Sequence, residues 1–182
     1  MPNGKGPFRA DHVGSLQRPQ SLLDARTQFK AGDITAAELR EKENAAIRDV
    51  VKMQEDIGLQ SITDGEYRRE NFHFDFLDKI GGVDFRRMMP EGSEGKSVDP
   101  EMAPFVAFIT ERLERPAAGI EVENYKVVAG LTDRTPKITM PSPTMTHFRG
   151  GRKAIDEAAY PELDLFFDDL ARVYREEIMG LA

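Results

Sequence analysis

An α/β fold is predicted: a partial (β/α)8 TIM barrel, reaching about the first four strand–helix units. Three observations predict it. Short apolar runs that read as strands alternate with amphipathic helical stretches, and strand–helix–strand order implies a parallel crossover. Two strands end in polar tips, Asp11-His12-Val13-Gly14-Ser15 and Thr63-Asp64-Gly65-Glu66-Tyr67-Arg68-Arg69, and such tips carry the reactive groups of barrels of this kind. The chain has 182 residues, enough for one domain with a core but short of the roughly 250 that eight units need.

The elements follow in order. Phe8 to Val13 reads as a strand closed by Gly14-Ser15. Pro19 and Ser21 open a helix, with Asp24 completing a capping box and Gly32 stopping it. Thr35, with Glu38 three residues on, opens a longer helix whose apolar stripe is Leu39, Ala46, Val50, Met53 and Ile57. Gly58 caps it, and Leu59 to Thr63 is the second strand. There Asp64 and Glu66 place two carboxylates at one tip, with Gly65 allowing a sharp turn between them. The two tips are expected to share one pocket, with Ser15 and Glu66 near the same edge of the sheet.

Asn71 to Leu77 is aromatic and reads as core. A surface excursion over about 82–118 follows, with a loop at Glu91 to Pro100 and a weakly helical stretch from Pro104 to Leu113. Tyr125 to Leu131 and Lys137 to Met140 read as strands, the second broken by Pro141-Ser142-Pro143-Thr144. Pro161 fits the first turn of a final helix with the stripe Leu163, Phe166, Phe167, Leu170, Val173, Tyr174, Ile178, Leu181. A strand would be expected after Ala182, so a half barrel closed by further sequence or another chain is the expectation.

Composition excludes several classes. The net charge is −7, with basic residues scattered among acidic ones, which argues against a nucleic-acid partner. No apolar run approaches a membrane span, and Met1 to Gly6 lacks the apolar core of a signal peptide. A cytoplasmic protein without a membrane partner is therefore expected. There is no cysteine, which rules out disulfides and thiolate metal sites carried by this chain. His12, His73 and His147 have no i, i+4 histidine partner, so the helical two-histidine metal motif is absent.

Nearly the whole chain resembles the catalytic barrel of cobalamin-independent methionine synthase and its short bacterial relatives. Three segments carry the resemblance: Ala10 to Pro19, Gln54 to Arg69, and Pro141-Ser142-Pro143-Thr144-Met145-Thr146-His147-Phe148. It implies that Val13, Gly14 and Ser15 form the loop holding the amino-acid end of homocysteine, and that Glu66 binds its amino group. Phe148 stands where the family has a tryptophan against the folate pterin. Asp64 replaces a histidine of the full-length synthases, and His12 precedes the Gly-Ser loop as in the shorter relatives.

The family's zinc is held by histidine, glutamate and two cysteines from later strands. The resemblance therefore implies a zinc-dependent S-methyltransferase to which this chain contributes substrate-binding residues but no catalytic residue and no metal ligand. Zinc is expected for the complete enzyme, a small-molecule thiol such as homocysteine as acceptor, and methyltetrahydrofolate as a candidate methyl donor. The isolated chain is expected to be inactive and to need a C-terminal barrel half or self-association. Two alternatives stand beside this. One is another thiol alkyltransferase of the family, for example epoxyalkane–coenzyme M transferase-like, with Arg18, Arg68 or Arg69 receiving a sulfonate. The other is a non-catalytic truncated remnant.

Overall fold

The computed structural model describes residues 12–89 and 103–182. They fall into two compact units, one running up to Glu70 and resuming over Glu123–Thr139, the other made of Asn71–Val122 and Met140–Ala182. The fold is mixed α/β.

In the first unit α1 (Gln20–Ala31) and α2 (Ala36–Asp56) precede β1 (Ser61–Ile62). Pro19 is the N-cap of α1 and no side chain caps it. Ser21 lies inside the helix, and the Asp24 carboxylate accepts instead from Gln20 Nε2 at 2.9 Å, so the Ser21–Asp24 box does not form. The Thr35–Glu38 box does form: the Thr35 hydroxyl accepts from the Glu38 amide, and the Glu38 carboxylate accepts from the Thr35 amide at 2.7 Å. The buried face of α2 is Glu43, Ile47, Val50, Val51 and Gln54, whereas Met53 and Ile57 are exposed. The face is turned from the apolar stripe because it carries two polar side chains with partners inside the unit.

β1 pairs in parallel with β4 (Thr135–Pro136), as a crossover requires. The pairing lies earlier than the expected Lys137–Met140 and is shorter than Leu59–Thr63, although Lys137 N–H still donates to Ile62 O at 2.8 Å. The segment between them, Tyr125 to Leu131, is not a strand. Its residues up to Ala129 belong to α4 (Val122–Ala129), and Gly130 and Leu131 turn out of the helix. Val128 is fully buried with Leu22, Ile47, Val50, Val51, Ile62 and Tyr67. Of the expected first strand, Phe8–Asp11 lies outside the described residues, and His12 and Val13 are not paired in a strand.

The second unit holds α3 (Phe74–Leu77), β2 (Gly81–Arg87), β3 (Phe105–Glu114) and α5 (Leu163–Leu181). β2 and β3 are antiparallel, with Arg87 opposite Phe105. The expected helix over Pro104 to Leu113 is thus a strand: its buried positions include Val106, Ile109 and Leu113, and its partner lies across a long connection. Glu91 to Pro100, expected as a loop, lies outside the described residues. Among the described residues the strands form two two-stranded sheets, one parallel and one antiparallel.

α5 begins two residues after Pro161, with Glu162 as N-cap. Its Phe166, Leu170, Val173 and Tyr174 pack with Phe76, Leu77, Ile80, Ile109 and Leu113. Phe76 and Leu77 are core as the aromatic stretch predicts, but Phe72 is half exposed.

Asp169 of α5 accepts from Arg112 Nε at 2.6 Å, from Tyr160 Oη at 2.8 Å and from Arg172 at 3.2 Å. The Arg112 bond, helped by those from Tyr160 and Arg172, outweighs burial and holds the Asp169 carboxyl down to about 2, from an ordinary 3.8. A carboxyl lowered on folding stabilises the native state above its unfolded value and loses that contribution as pH falls through the folded one. The stability gap between the protein and Asp169→Asn should therefore be full above pH ~4 and shrink by on the order of 2 kcal/mol toward pH ~2. Urea titrations at stepped pH measure it, and a pH-independent gap would refute the assignment.

Candidate functional site

The tip after β1 is built by side chains that hold backbone. Gln54, the last buried residue of α2, is fully enclosed. Its Nε2 donates to Val50 O at 3.0 Å and Thr63 O at 2.8 Å, and its Oε1 accepts from Thr63 N–H at 3.0 Å. The same Oε1 lies 3.0 Å from His12 Nε2. The loop of residues 12–16 is thereby tied to the tip. Thr63 Oγ1 donates to Gly14 O at 2.8 Å, Leu16 N–H donates to Gly65 O at 3.0 Å, and Lys137 Nζ donates to His12 O.

Asp64 is buried and accepts from the Glu66 amide at 2.9 Å, an Asx turn that closes the reversal. Gly65 has φ 67°, and a Cβ there would lie 2.8 Å from the Tyr67 ring. Glu66 is the only non-glycine described residue with positive φ, at 57°. That conformation costs a glutamate about 1–2 kcal/mol, and the surroundings enforce it. Arg18 Nη2 donates to Glu66 O at 2.9 Å and Arg69 O at 2.6 Å. Arg26 donates to Arg69 O at 2.9 Å and Tyr67 O at 2.6 Å.

Beneath the tip, Glu43 has Arg68, Arg40 and Arg26 at 3.7–3.9 Å. Burial raises its carboxyl affinity for a proton, and the three guanidiniums oppose the rise. The Tyr67 hydroxyl is also pushed up by burial and donates to Gln17 O at 2.8 Å.

The Glu66 carboxylate is buried. Its Oε1 accepts from Thr139 Oγ1 at 2.7 Å and faces Arg69 Nη1 at 3.7 Å. Arg69 in turn donates to Thr139 Oγ1 at 3.1 Å and to Thr139 O. Gly14, at φ 152°, passes so close that a Cβ would sit 2.5 Å from Thr139 Cγ2 and 3.3 Å from Glu66 Oε1. The structure therefore gathers His12, Gly14, Asp64 and Glu66. Val13 and Ser15 stand exposed on the same loop.

Phe148 belongs to the second unit. It is more than half exposed, follows a 3-10 turn over Pro143–Thr146, and has the Arg149 guanidinium 5.4 Å from its ring centroid. With Met88, Met89, Val106, Arg152 and Lys153 it lines a cavity of about 640 Å³.

Arg18, Arg68 and Arg69, the arginines considered for a sulfonate, all bond within the protein, Arg68 to Asn44 and the others as above. Gln54, Thr139 and Lys137 bond at the tip and were not singled out by pattern reading, and Arg69, considered only for a sulfonate, holds Thr139 instead. Gln54 had a signal, being four residues beyond Val50 and seven beyond Ile47 on the buried face of α2. Thr139 had none, since its partners lie seventy or more positions away.

No three described His, Asp or Glu side chains gather as a metal would require, and the chain has no cysteine. The described residues do not fit the zinc site that the resemblance implies. No described helix is long and apolar enough to cross a membrane.

The tip after β1 thus sets a buried carboxylate against the backbone of a glycine, in a mixed α/β fold. The family model described as "Cobalamin-independent synthase, Catalytic domain" matches residues 8–140, and the chain belongs to that family of methyltransferases. It is 39% identical to the uncharacterised protein YxjH of Bacillus subtilis (strain 168), over 96% of this chain and 45% of that protein. It is 27% identical to the 5-methyltetrahydropteroyltriglutamate–homocysteine methyltransferase of Streptococcus mutans, over 91% of this chain and 21% of the enzyme. Among solved structures, the putative vitamin-B12 independent methionine synthase from Listeria monocytogenes matches with TM-score 0.76 and 36% identity, covering 98% of this chain and 49% of that one. The chain thus spans about half the length of YxjH and of the Listeria protein.

Proposed function

We propose that the chain is the amino-acid-binding half of a (β/α)8 barrel that transfers a methyl group to a thiol, with homocysteine as the acceptor. Family membership supports the reaction class. The observation that carries the substrate is the Glu66 carboxylate beside the bare backbone of Gly14. A buried carboxylate suits an ammonium, and a glycine wall lets the ligand's backbone-like end approach. Val13 and Gly14 offer backbone groups, and Ser15 a hydroxyl donor for a carboxylate. Glu66 would exchange its weak 3.7 Å contact with Arg69 for the ligand ammonium while keeping the Thr139 hydroxyl. Asp64 sets the turn that aims it.

Thiol activation and the proposed zinc and methyltetrahydrofolate sites would come from the remaining half of a protein of the relatives' length, or from a partner chain. Phe148 is the surface offered to the folate ring. The exposed Phe167 and Ile178 of α5 form apolar surface that the remaining half would cover.

Calorimetric titration of the chain with L-homocysteine and L-methionine tests the site. Binding of both is expected, and Glu66→Gln should weaken it by about 10- to 100-fold, the worth of one hydrogen bond to a charged group. Equal affinities for the protein and the variant would remove Glu66 from the site.

A further inference from the structure

The hydrogen bonds of Gln54 decide where His12 carries its proton. Val50 O and Thr63 O can only accept, so the Gln54 atom facing both must be its NH2 group. Thr63 N–H can only donate, so the atom facing it must be the amide oxygen. The orientation of the amide thus follows from three backbone groups. His12 Nε2 faces that same oxygen at 3.0 Å, an atom that has no hydrogen to give. Nε2 must therefore carry the hydrogen, and in the neutral ring Nδ1 is left as the acceptor. His12 Nδ1 is buried and has no hydrogen-bond partner among the described residues. A buried acceptor without a donor is uncommon and calls for an explanation.

We propose that His12 Nδ1 is a preformed acceptor for the α-ammonium of the bound amino acid, and that Gln54 is the positioning residue that holds it in that form. The proposal rests on the reading of the Gly14–Glu66 site as an amino-acid site. An ammonium brings three donors that point apart, more than the single Glu66 carboxylate can receive while it also takes the Thr139 hydroxyl, so a second accepting group is required. The arginines and Lys137 around the tip cannot accept. His12 lies two residues before Gly14, no more than about 7 Å of extended chain, and that glycine is the residue walling Glu66. A neutral imidazole accepts without adding charge beside Arg69 and Lys137.

The test is long-range 1H–15N correlation of the imidazoles in the full chain labelled with 15N-histidine. His12→Gln assigns the signal, and His73 and His147 serve as internal controls. In the free protein His12 should show protonated Nε2 and bare Nδ1. A protonated Nδ1 at neutral pH would overturn the proposal. L-Methionine should move the His12 Nδ1 resonance, and 4-(methylthio)butanoate, which lacks the amine, should not. If amides of Gly14, Ser15 and Glu66 respond to L-methionine while His12 Nδ1 does not, the acceptor role is wrong and the amino-acid site stands. If none respond, the site reading fails and the proposal with it. Gln54→Met should let an Nδ1–H form appear. Should that variant not fold, the spectra of the unmutated chain with and without the two ligands decide alone.

Discussion

Gly14→Ala should abolish amino-acid binding and lower the stability of the first unit by about 2–4 kcal/mol. Two costs add. At φ 152° the residue sits where L side chains rarely go, and the new Cβ would overlap Thr139 Cγ2 at 2.5 Å while crowding Glu66 Oε1. The displaced Thr139 hydroxyl is the group that orients the Glu66 carboxylate, so binding should suffer beyond the loss of stability. Gly58→Ala is the control: it also has positive φ, 91°, but no atom lies within 4 Å of its Cβ position, leaving a backbone cost of about 1–2 kcal/mol. Thr139→Ser removes Cγ2 and keeps the hydroxyl, so it should restore part of both losses in the Gly14→Ala background. Thermal melts and titration calorimetry on the four proteins check this. Equal losses for Gly14→Ala and Gly58→Ala would show that the close approach is not used.

The tip was legible because its information is local. Asp64, Gly65 and Glu66 write a turn in three consecutive residues, and the Thr35–Glu38 box spans four. The helix ends at Gly32 and Gly58 were readable for the same reason. What failed depends on distant partners. β3 resembles a weak helix until β2 is laid beside it, and β2 lies across a connection of more than a dozen residues. α4 looked like a strand because Val127 and Val128 are β-branched, yet Val128 packs against Ile47 and Ile62 from a helix, tertiary burial overriding propensity. The stripe of α2 was misplaced because apolar counting ignores a buried Gln54. Arg69 and Thr139 could not be paired from sequence at all.

Glu177→Leu should destabilise the second unit by about 3–5 kcal/mol. Glu177 is fully buried on α5, and its carboxylate accepts from Arg115 Nε at 2.7 Å, from Ile120 N–H at 3.0 Å and from Glu121 N–H at 2.7 Å. Leucine would fit the volume but leave a mostly buried guanidinium and two amides without an acceptor. Adding Arg115→Met removes the stranded charge, so the double variant should recover more than half of the loss. Urea unfolding of the two single variants and the double one forms the cycle. Strict additivity would mean that the two side chains do not act together.

Glu66 places the chain's interests in conflict. A backbone at φ 57° is one that glycine or asparagine adopts readily, and here a glutamate occupies it. Anyone seeking a hardier version of this protein by relieving unfavourable torsions would choose that residue first, and the hardier molecule would have lost the carboxylate on which the proposed amino-acid site depends. If the proposed site is used, selection for robustness and selection for ligand recognition pull this one position in opposite directions. The four carbonyl contacts from Arg18 and Arg26 are what hold the backbone around that residue in place.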